Sequence, residues 1–245
     1  FGNTPFNQEI GGWDVSWVNN MSYMFYNSNF NRNINSWNIV SVTTTEEMFG
    51  QSSFNQPLNN WDVSNVTNMY NMFNGGNSSF NQDISSWQFN VSVNLAGILN
   101  NSDMSSQNYD LLLASMYNQN LFNKEFGDFS LRYCNISDHD ALINERGWTF
   151  DGGLPSITSI SAPNNVATEV DNGFCIATNV ELGSPVTAGC GTLSISNNAP
   201  IEFPLGITIV TWTLVDGNGS TVTDTQQVEV VLVADEADLC YVTAD

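Results

Sequence analysis

Four stretches of this chain open on Phe-Asn, at Phe6-Asn7, Phe30-Asn31, Phe54-Asn55 and Phe80-Asn81, with spacings of 24, 24 and 26 residues. The columns behind them recur. Ile10, Ile34, Leu58 and Ile84 come first, then Trp13, Trp37, Trp61 and Trp87, then Val15, Ile39, Val63 and Phe89. Each unit closes on a doublet: Met24-Phe25, Met48-Phe49, Met72-Phe73 or Ile98-Leu99. A fixed period of this length means that no unit can bury its apolar face alone, so neighbours must stack. Inside a unit, Leu58-x-x-Trp61-x-Val63 has the apolar spacing of a short strand, and Ser64 stands where a helix N-cap would. Val66, Met69, Met72 and Phe73 then recur at three- and four-residue steps, the stripe of a short helix. The pattern therefore predicts one strand and one short helix per coil, with strands pairing from coil to coil at about 4.8 Å.

The polar columns divide into two kinds. The Asn after each Phe can satisfy backbone groups of its own turn and of the adjacent coil. Asp14, Asn38, Asp62 and Gln88 lie between inward-facing residues, and strand alternation points them onto an open sheet face. They are the candidate ligand-binding residues, on a surface rich in amides and without cations. Phe1 precedes Phe6 as Phe25 precedes Phe30, so the chain is expected to begin inside an earlier repeat. After Leu99 the pattern decays into a segment with two expected helices. One is capped by Ser106 and carries Tyr109, Leu112, Leu113 and Met116; the other starts at Ser137, with Asp140 completing a capping box, and stops at Gly147.

Composition shifts at Asp151-Gly152-Gly153-Leu154-Pro155, which reads as a linker. Of 36 Asn, 29 lie before residue 150, while beyond Pro155 there are 11 acids and no Lys, Arg, His or Met. The expected organisation is repeats over 1–103, a helical cap over 104–153, a second domain over 156–233, and an acidic linker or start of a further module over 234–245. The second domain has short strand-like runs at Ile157–Ser161, Cys175–Val180 and Leu193–Ser196. Two longer runs, 207–215 and 221–233, flank Asp216-Gly217-Asn218-Gly219, a hairpin signal. This many strands in so short a stretch predicts an all-β, immunoglobulin-like sandwich with Trp212 in its core.

The units FNQPLNNWDVSNVTNMYNMF and FNQEIGGWDVSWVNNMSYMF resemble the repeats of BspA-like leucine-rich repeat surface proteins. Asn108-Tyr109-Asp110, Tyr133-Cys134 and Gly147-Trp148-Thr149 resemble the segment that ends such arrays, so the likeness spans about residues 1–153. Unit two departs from it at Thr44-Thr45-Glu46-Glu47, and unit four over residues 89–95. The run NNAPIEFPLGITIVTWTLVDGNGSTVTDTQQVEVV resembles the HYR (hyalin repeat) module, an extracellular immunoglobulin-like domain. The fold expected from these resemblances, α+β and all-β, is a capped leucine-rich-repeat solenoid followed by an immunoglobulin-like β-sandwich. They imply a cell-surface protein of Bacteroidota type, secreted by the type IX system, with adhesive function and further modules in the same larger chain. Against the HYR pattern two cysteines are missing. Cys175 and Cys190 remain, and a disulfide between them would contribute about 3 kcal/mol in the chain-entropy model. Cys134 reads as a small buried hydrophobe, and Cys240 has no obvious partner.

With 25 Asp+Glu against four Lys+Arg the net charge is -21, which excludes a phosphate-tracking nucleic-acid footprint and direct docking on anionic lipid. No apolar run approaches the roughly 18 residues of a membrane span. The one histidine, His139, reads as an exposed helix-start residue; Cys134 lies five residues away without an orienting third group. No zinc spacing or phosphate loop is present, and a non-enzymatic role is expected, without a cofactor. Calcium is the one ion considered, at Asp216, Asn218 and Asp224, although no twelve-residue calcium loop surrounds them. The expectation is an extracellular module that binds a glycan or matrix-type protein through Asp14, Asn38, Asp62 and Gln88. Its rivals are a spacer in a surface filament and a carbohydrate-binding accessory of a larger enzyme.

Overall fold

The computed structural model describes residues 1–76 and 78–232, which fall into two compact units, one over Phe1–Pro155 and one from Ser156 onward. The acidic 234–245 segment with Cys240, and the expected end of the last strand at Val233, lie outside the described residues.

In the first unit the repeat columns form the core. Ile34, Leu58 and Ile84 are fully buried, as are Phe25, Phe30, Phe73 and Phe80. Phe25 and Phe30 stack at 3.9 Å between ring centroids, Phe49 and Phe54 at 4.0 Å, and Phe73 and Phe80 at 3.7 Å. From coil to coil the rings repeat at 5.7 to 6.5 Å. The Trp column is buried from Trp37 on, and each indole N–H finds a carbonyl one coil back: Trp37 to Ile10, Trp61 to Ile34, and Trp87 to Leu58. A buried indole needs such a partner.

The expected coil of strand plus helix does not form. Among the described residues, 1–105 contain neither helix nor extended strand, and coils meet at single parallel bridges, Asn20 to Thr44 to Asn68 to Asn94. The backbone hydrogen bonds give the reason. Met24 N–H bonds to Met21 C=O and Tyr26 N–H to Tyr23 C=O, closing two successive tight turns. Between them Met21, Tyr23, Phe25 and Asn27 donate to Thr44, Glu46, Met48 and Gly50 of the next coil. With alternate amides committed between coils, no i→i−4 ladder can form. Positive φ at Tyr23, Asn27, Glu47, Gln51 and Asn71 interrupts any right-handed run. The three- and four-residue apolar steps are thus met by tight turns, and the leucine-rich-repeat solenoid of strand and helix is set aside.

This path also accounts for the abundance of Asn. Among the described residues, seven of the eleven non-glycine positions with positive φ are Asn, whose short polar side chain tolerates the left-handed region best. A second group forms a ladder. Asn7 Oδ1 accepts from Asn31 N–H, Asn31 from Asn55, Asn55 from Asn81, and Asn81 from Ser105, at 2.9 to 3.1 Å. The Asn column after each Phe therefore joins coils, as its position suggested.

The remainder of the first unit comprises α1 (Ser106–Asn118), β1 (Glu125–Phe126), β2 (Arg132–Tyr133), α2 (Ile136–Arg146), β3 (Thr149–Phe150) and β4 (Leu154–Pro155). The face of α1 with Tyr109, Leu112, Leu113 and Met116 is buried, and its N-cap is Ser105, one residue before the expected Ser106. Asn135, paired with Asp138, caps α2 in place of Ser137 and Asp140, and Gly147 ends it at φ +70°. β1 pairs with β3 and β2 with β4, both in parallel.

The second unit holds β5 (Ser159–Ser161), β6 (Val166–Glu169), β7 (Ile176–Thr178), β8 (Val186–Ala188), β9 (Ser194–Asn197), β10 (Glu202–Pro204), β11 (Gly206–Val215) and β12 (Thr221–Val231). The immunoglobulin-like sandwich expected from the strand count is not the arrangement found. The strands form one four-stranded mixed sheet, in the order β6-β12-β11-β9, with β6 parallel to β12, and two separate pairs, β5-β8 and β10-β7. Short strands at 166–169, 186–188 and 202–204 divide the pairing in ways the longer apolar runs did not signal. Trp212 is buried, and its indole N–H donates to Gln226 Oε1 at 3.1 Å. Gln226, fully buried, passes its own amide hydrogens to the Asn164 and Leu182 carbonyls. Among the described residues no helix is long and apolar enough to cross a membrane.

Candidate functional site

Asp14, Asn38, Asp62 and Gln88 are all exposed, one per coil. They do not lie on an open sheet face, because no strand runs through them; three of them close turns. Asp14 Oδ1 accepts from the Ser16 N–H at 3.0 Å and the Ser16 hydroxyl at 2.7 Å, and Asp62 treats Ser64 in the same way. Asn38 Oδ1 accepts from Val40 N–H. The Ser16 hydroxyl, then its N–H, holds the Asp14 carboxyl below the usual range, and Ser64 does the same for Asp62. Part of this column is therefore turn chemistry. The second carboxylate oxygens of Asp14 and Asp62, the Asn38 amide nitrogen and the whole Gln88 amide have no partner among the described residues.

The departure at Thr44–Glu47 has a local account. Glu46 accepts from the Tyr23 hydroxyl and the Asn68 amide, and Thr45 Oγ1 donates to Met72 Sδ. These side chains tie three successive coils together.

The candidate calcium ligands are not brought together. Asp216 sits at the tip of the β11–β12 hairpin, while Asp224 pairs in register with Trp212, well down the ladder. Asp216 Oδ1 accepts from the N–H groups of Asn218 and Ser220, and its Oδ2 from the Thr158 hydroxyl at 2.5 Å and the Cys190 N–H. Asp224 accepts from the N–H groups of Ala162 and Thr225. Among the described residues no group of three or more His, Cys, Asp or Glu is placed to hold a metal ion. The Thr158 hydroxyl, and after it the backbone N–H donors, lower the Asp216 carboxyl from its usual range; the Ala162 N–H foremost lowers Asp224. A depressed folded-state value stabilises the fold above the unfolded carboxylate range and is lost as pH falls through it. The second unit is expected to weaken below about pH 4, and Asp216→Asn to flatten that acid dependence. An unfolding curve whose acid slope is the same in the variant would contradict this.

His139 is not exposed. Only 6 % of it is accessible, and its ring stacks on Tyr133 at 4.1 Å and against Phe150 at 4.4 Å. Asp140 Oδ1 lies 3.5 Å from Nδ1, but without hydrogen-bond geometry, and neither ring nitrogen is hydrogen-bonded. Cys134, Cys175 and Cys190 are each disulfide-bonded. Cys134 is thus not the unpaired hydrophobe expected, and it offers no thiol for His139 to activate. The position of His139 between rings from β2 and β3 depends on contacts that its helix position does not reveal.

Residues 1–111 match the family model described as "Mycoplasma protein of unknown function, DUF285". This finding replaces the resemblance to BspA-like leucine-rich repeats, and no match supports the HYR resemblance of the second unit. No curated protein and no solved structure matches the chain.

Proposed function

We propose that this chain is a non-enzymatic, extracellular binding module of a bacterial cell-surface protein, acting in adhesion to a neutral, hydroxyl-rich ligand such as a glycan or to a matrix-type protein. The observation that carries this reading is that exposed polar side chains without a hydrogen-bond partner among the described residues recur on successive coils, which a core of stacked rings holds in place. Disulfide-bonded cysteines support an oxidising compartment. The net charge of -21 disfavours nucleic acid and anionic lipid as partners. Calcium enters this reading only as a diffuse counter-ion.

The test is binding of the whole chain to an array of glycans and immobilised matrix proteins, with calcium and with chelator. Saturable binding of at least one of them is the expected result. Binding to none under either condition would favour the spacer of a surface filament, a role for which a rigid coil stack is equally suited. Turnover of a bound glycan would refute the non-enzymatic reading.

A further inference from the structure

A groove of about 410 Å³ opens on the first unit, lined by side chains from four successive coils. Its wall includes Asn29, Ser53, Ser79 and Asp103, each immediately before a buried anchor: Phe30, Phe54, Phe80 or Met104. Asn27 and Gln51 flank them. Three of the anchors, Phe30, Phe54 and Phe80, are stacked rings of the core, so the groove residues stand on a fixed backbone.

Two observations separate this groove from an ordinary solvated surface. The first is hydrogen-bond accounting. Elsewhere on the stack many polar side chains are committed, Asn7, Asn31, Asn55 and Asn81 to the ladder and one oxygen each of Asp14, Asn38 and Asp62 to turns, while uncommitted ones such as Gln88 lie outside the groove. In the groove, Asn29, Gln51, Ser53, Ser79 and Asp103 make no side-chain hydrogen bond among the described residues. Five uncommitted polar groups converge there, and the fold needs none of them. The second observation is the irregular unit. Phe73 and Phe80 are seven residues apart, whereas Phe25–Phe30 and Phe49–Phe54 are five apart. The extra residues follow Gly75, whose φ is +140° and whose Cβ, if it had one, would lie 2.5 Å from Gln51 Cγ. Glycine there lets the backbone pass directly against Gln51. Gly76, on the rim, has nothing within 4 Å of the corresponding point.

The geometry points to this groove as a binding site for a neutral oligosaccharide lying along the stack, one sugar residue per coil. The inference rests on the binding-module reading above and names its site and ligand class. Asn and Gln amides match vicinal hydroxyls as paired donor and acceptor, and Ser hydroxyls add adjustable partners. The successive rings behind the wall repeat at 6.0 Å between Phe30 and Phe54 and at 6.5 Å between Phe54 and Phe80, a step somewhat longer than one pyranose unit. With Asp103 as the one charged group among the described residues that line it, the groove repels uronate or sialylated chains. A peptide would bring apolar side chains to a wall of amides and hydroxyls.

The experiment compares the whole chain with two variants, on neutral oligosaccharide series and their acidic counterparts, with calorimetry on the neutral sugar that binds. The groove variant combines Asn29→Ala, Gln51→Asn and Asp103→Ala. Asn is used at position 51 because φ there is +54°, which Asn tolerates. None of the three side chains bonds to protein, so an unchanged melting curve is expected and separates lost binding from lost folding. The second variant replaces Asp14, Asn38, Asp62 and Gln88 with Ala. We expect a neutral oligosaccharide to bind, the groove variant to weaken it roughly tenfold or more, and the four-Ala variant to leave it within about twofold, since each lost hydrogen bond is worth a factor of about two to twelve. Full binding by the groove variant, loss confined to the four-Ala variant, or binding of a matrix protein or an acidic glycan alone would each overturn the groove while leaving a binding module in place. Absence of any binding by the wild-type chain overturns both.

Discussion

Phe49→Ala is expected to lower the unfolding free energy of the first unit by about 3–5 kcal/mol. Phe49 stands in the middle of the ring stack, 1 % exposed. Its ring lies 4.0 Å from Phe54, 5.7 Å from both Phe25 and Phe73, and 6.3 Å from Trp61. Removing it takes away transfer free energy and leaves a cavity between coils whose inter-coil hydrogen bonds prevent collapse. It also removes aromatic pairs worth about 0.5–1.5 kcal/mol each beyond area burial. Phe1→Ala is the matched control. Phe1 belongs to the same ladder, at 4.1 Å from Phe6, but is 46 % exposed, so its loss is expected to cost much less. Six of the seven Trp lie before residue 156, and urea unfolding followed by Trp fluorescence therefore reports mainly on this unit. Equal destabilisation by Phe1→Ala and Phe49→Ala would show that position in the stack does not set the cost.

That core was legible in the sequence, but the path of the backbone around it was not. A column of identical apolar residues at one period can only be an inside column, whatever conformation delivers it there, and Ile34, Leu58, Ile84, the Trp column from Trp37 on and the Phe columns from Phe25 on are buried accordingly. The steps from Val66 to Phe73, however, suit two consecutive tight turns as well as one helix. The deciding fact is which amides bond across coils, and that is a property of the stack, not of one unit. A local signal did exist. Asn71, Gly97 and Asn101 occupy left-handed positions, and Asn or Gly recurring inside an apparent helical stripe argues against a helix. The same limit applies to the polar residues. Asp14 and Asp62 precede a Ser by two residues, an Asx-turn arrangement that competes with any outward-facing role. The groove was invisible from sequence for a different reason. Asn29, Ser53, Ser79 and Asp103 are not one residue type, and their common place before a buried anchor is what relates them.

Gly127→Ala tests the junction where the repeats end. A Cβ on Gly127 would fall 2.0 Å from Gly97 Cα, 2.2 Å from Gly97 N and 2.4 Å from Gly97 C. All three are backbone atoms, so no side-chain rotation relieves the clash. Gly97 is itself tightly placed, at φ +68° with Asn71 Oδ1 1.9 Å from the point its own Cβ would occupy. The two strands of chain are also held together: Gly127 N–H donates to Leu95 C=O, Leu99 N–H to Gly127 C=O, and Asn101 N–H to Phe129 C=O. Adding one methyl group must separate this rung, with an expected cost of at least about 1–3 kcal/mol, the usual range for overpacking. Damage should be local, since in a stack each coil depends chiefly on its neighbours. Amide exchange at Leu99 and Asn101 should accelerate, while that at Phe25 and Met21, whose partners lie two coils away, should hardly change. Gly12→Ala provides the contrast, because nothing lies within 4 Å of its missing Cβ. If Gly127→Ala and Gly12→Ala melt alike and the Leu99 amide remains protected, the close approach of the Gly97 and Gly127 backbones is not what joins the last coil to the segment that follows.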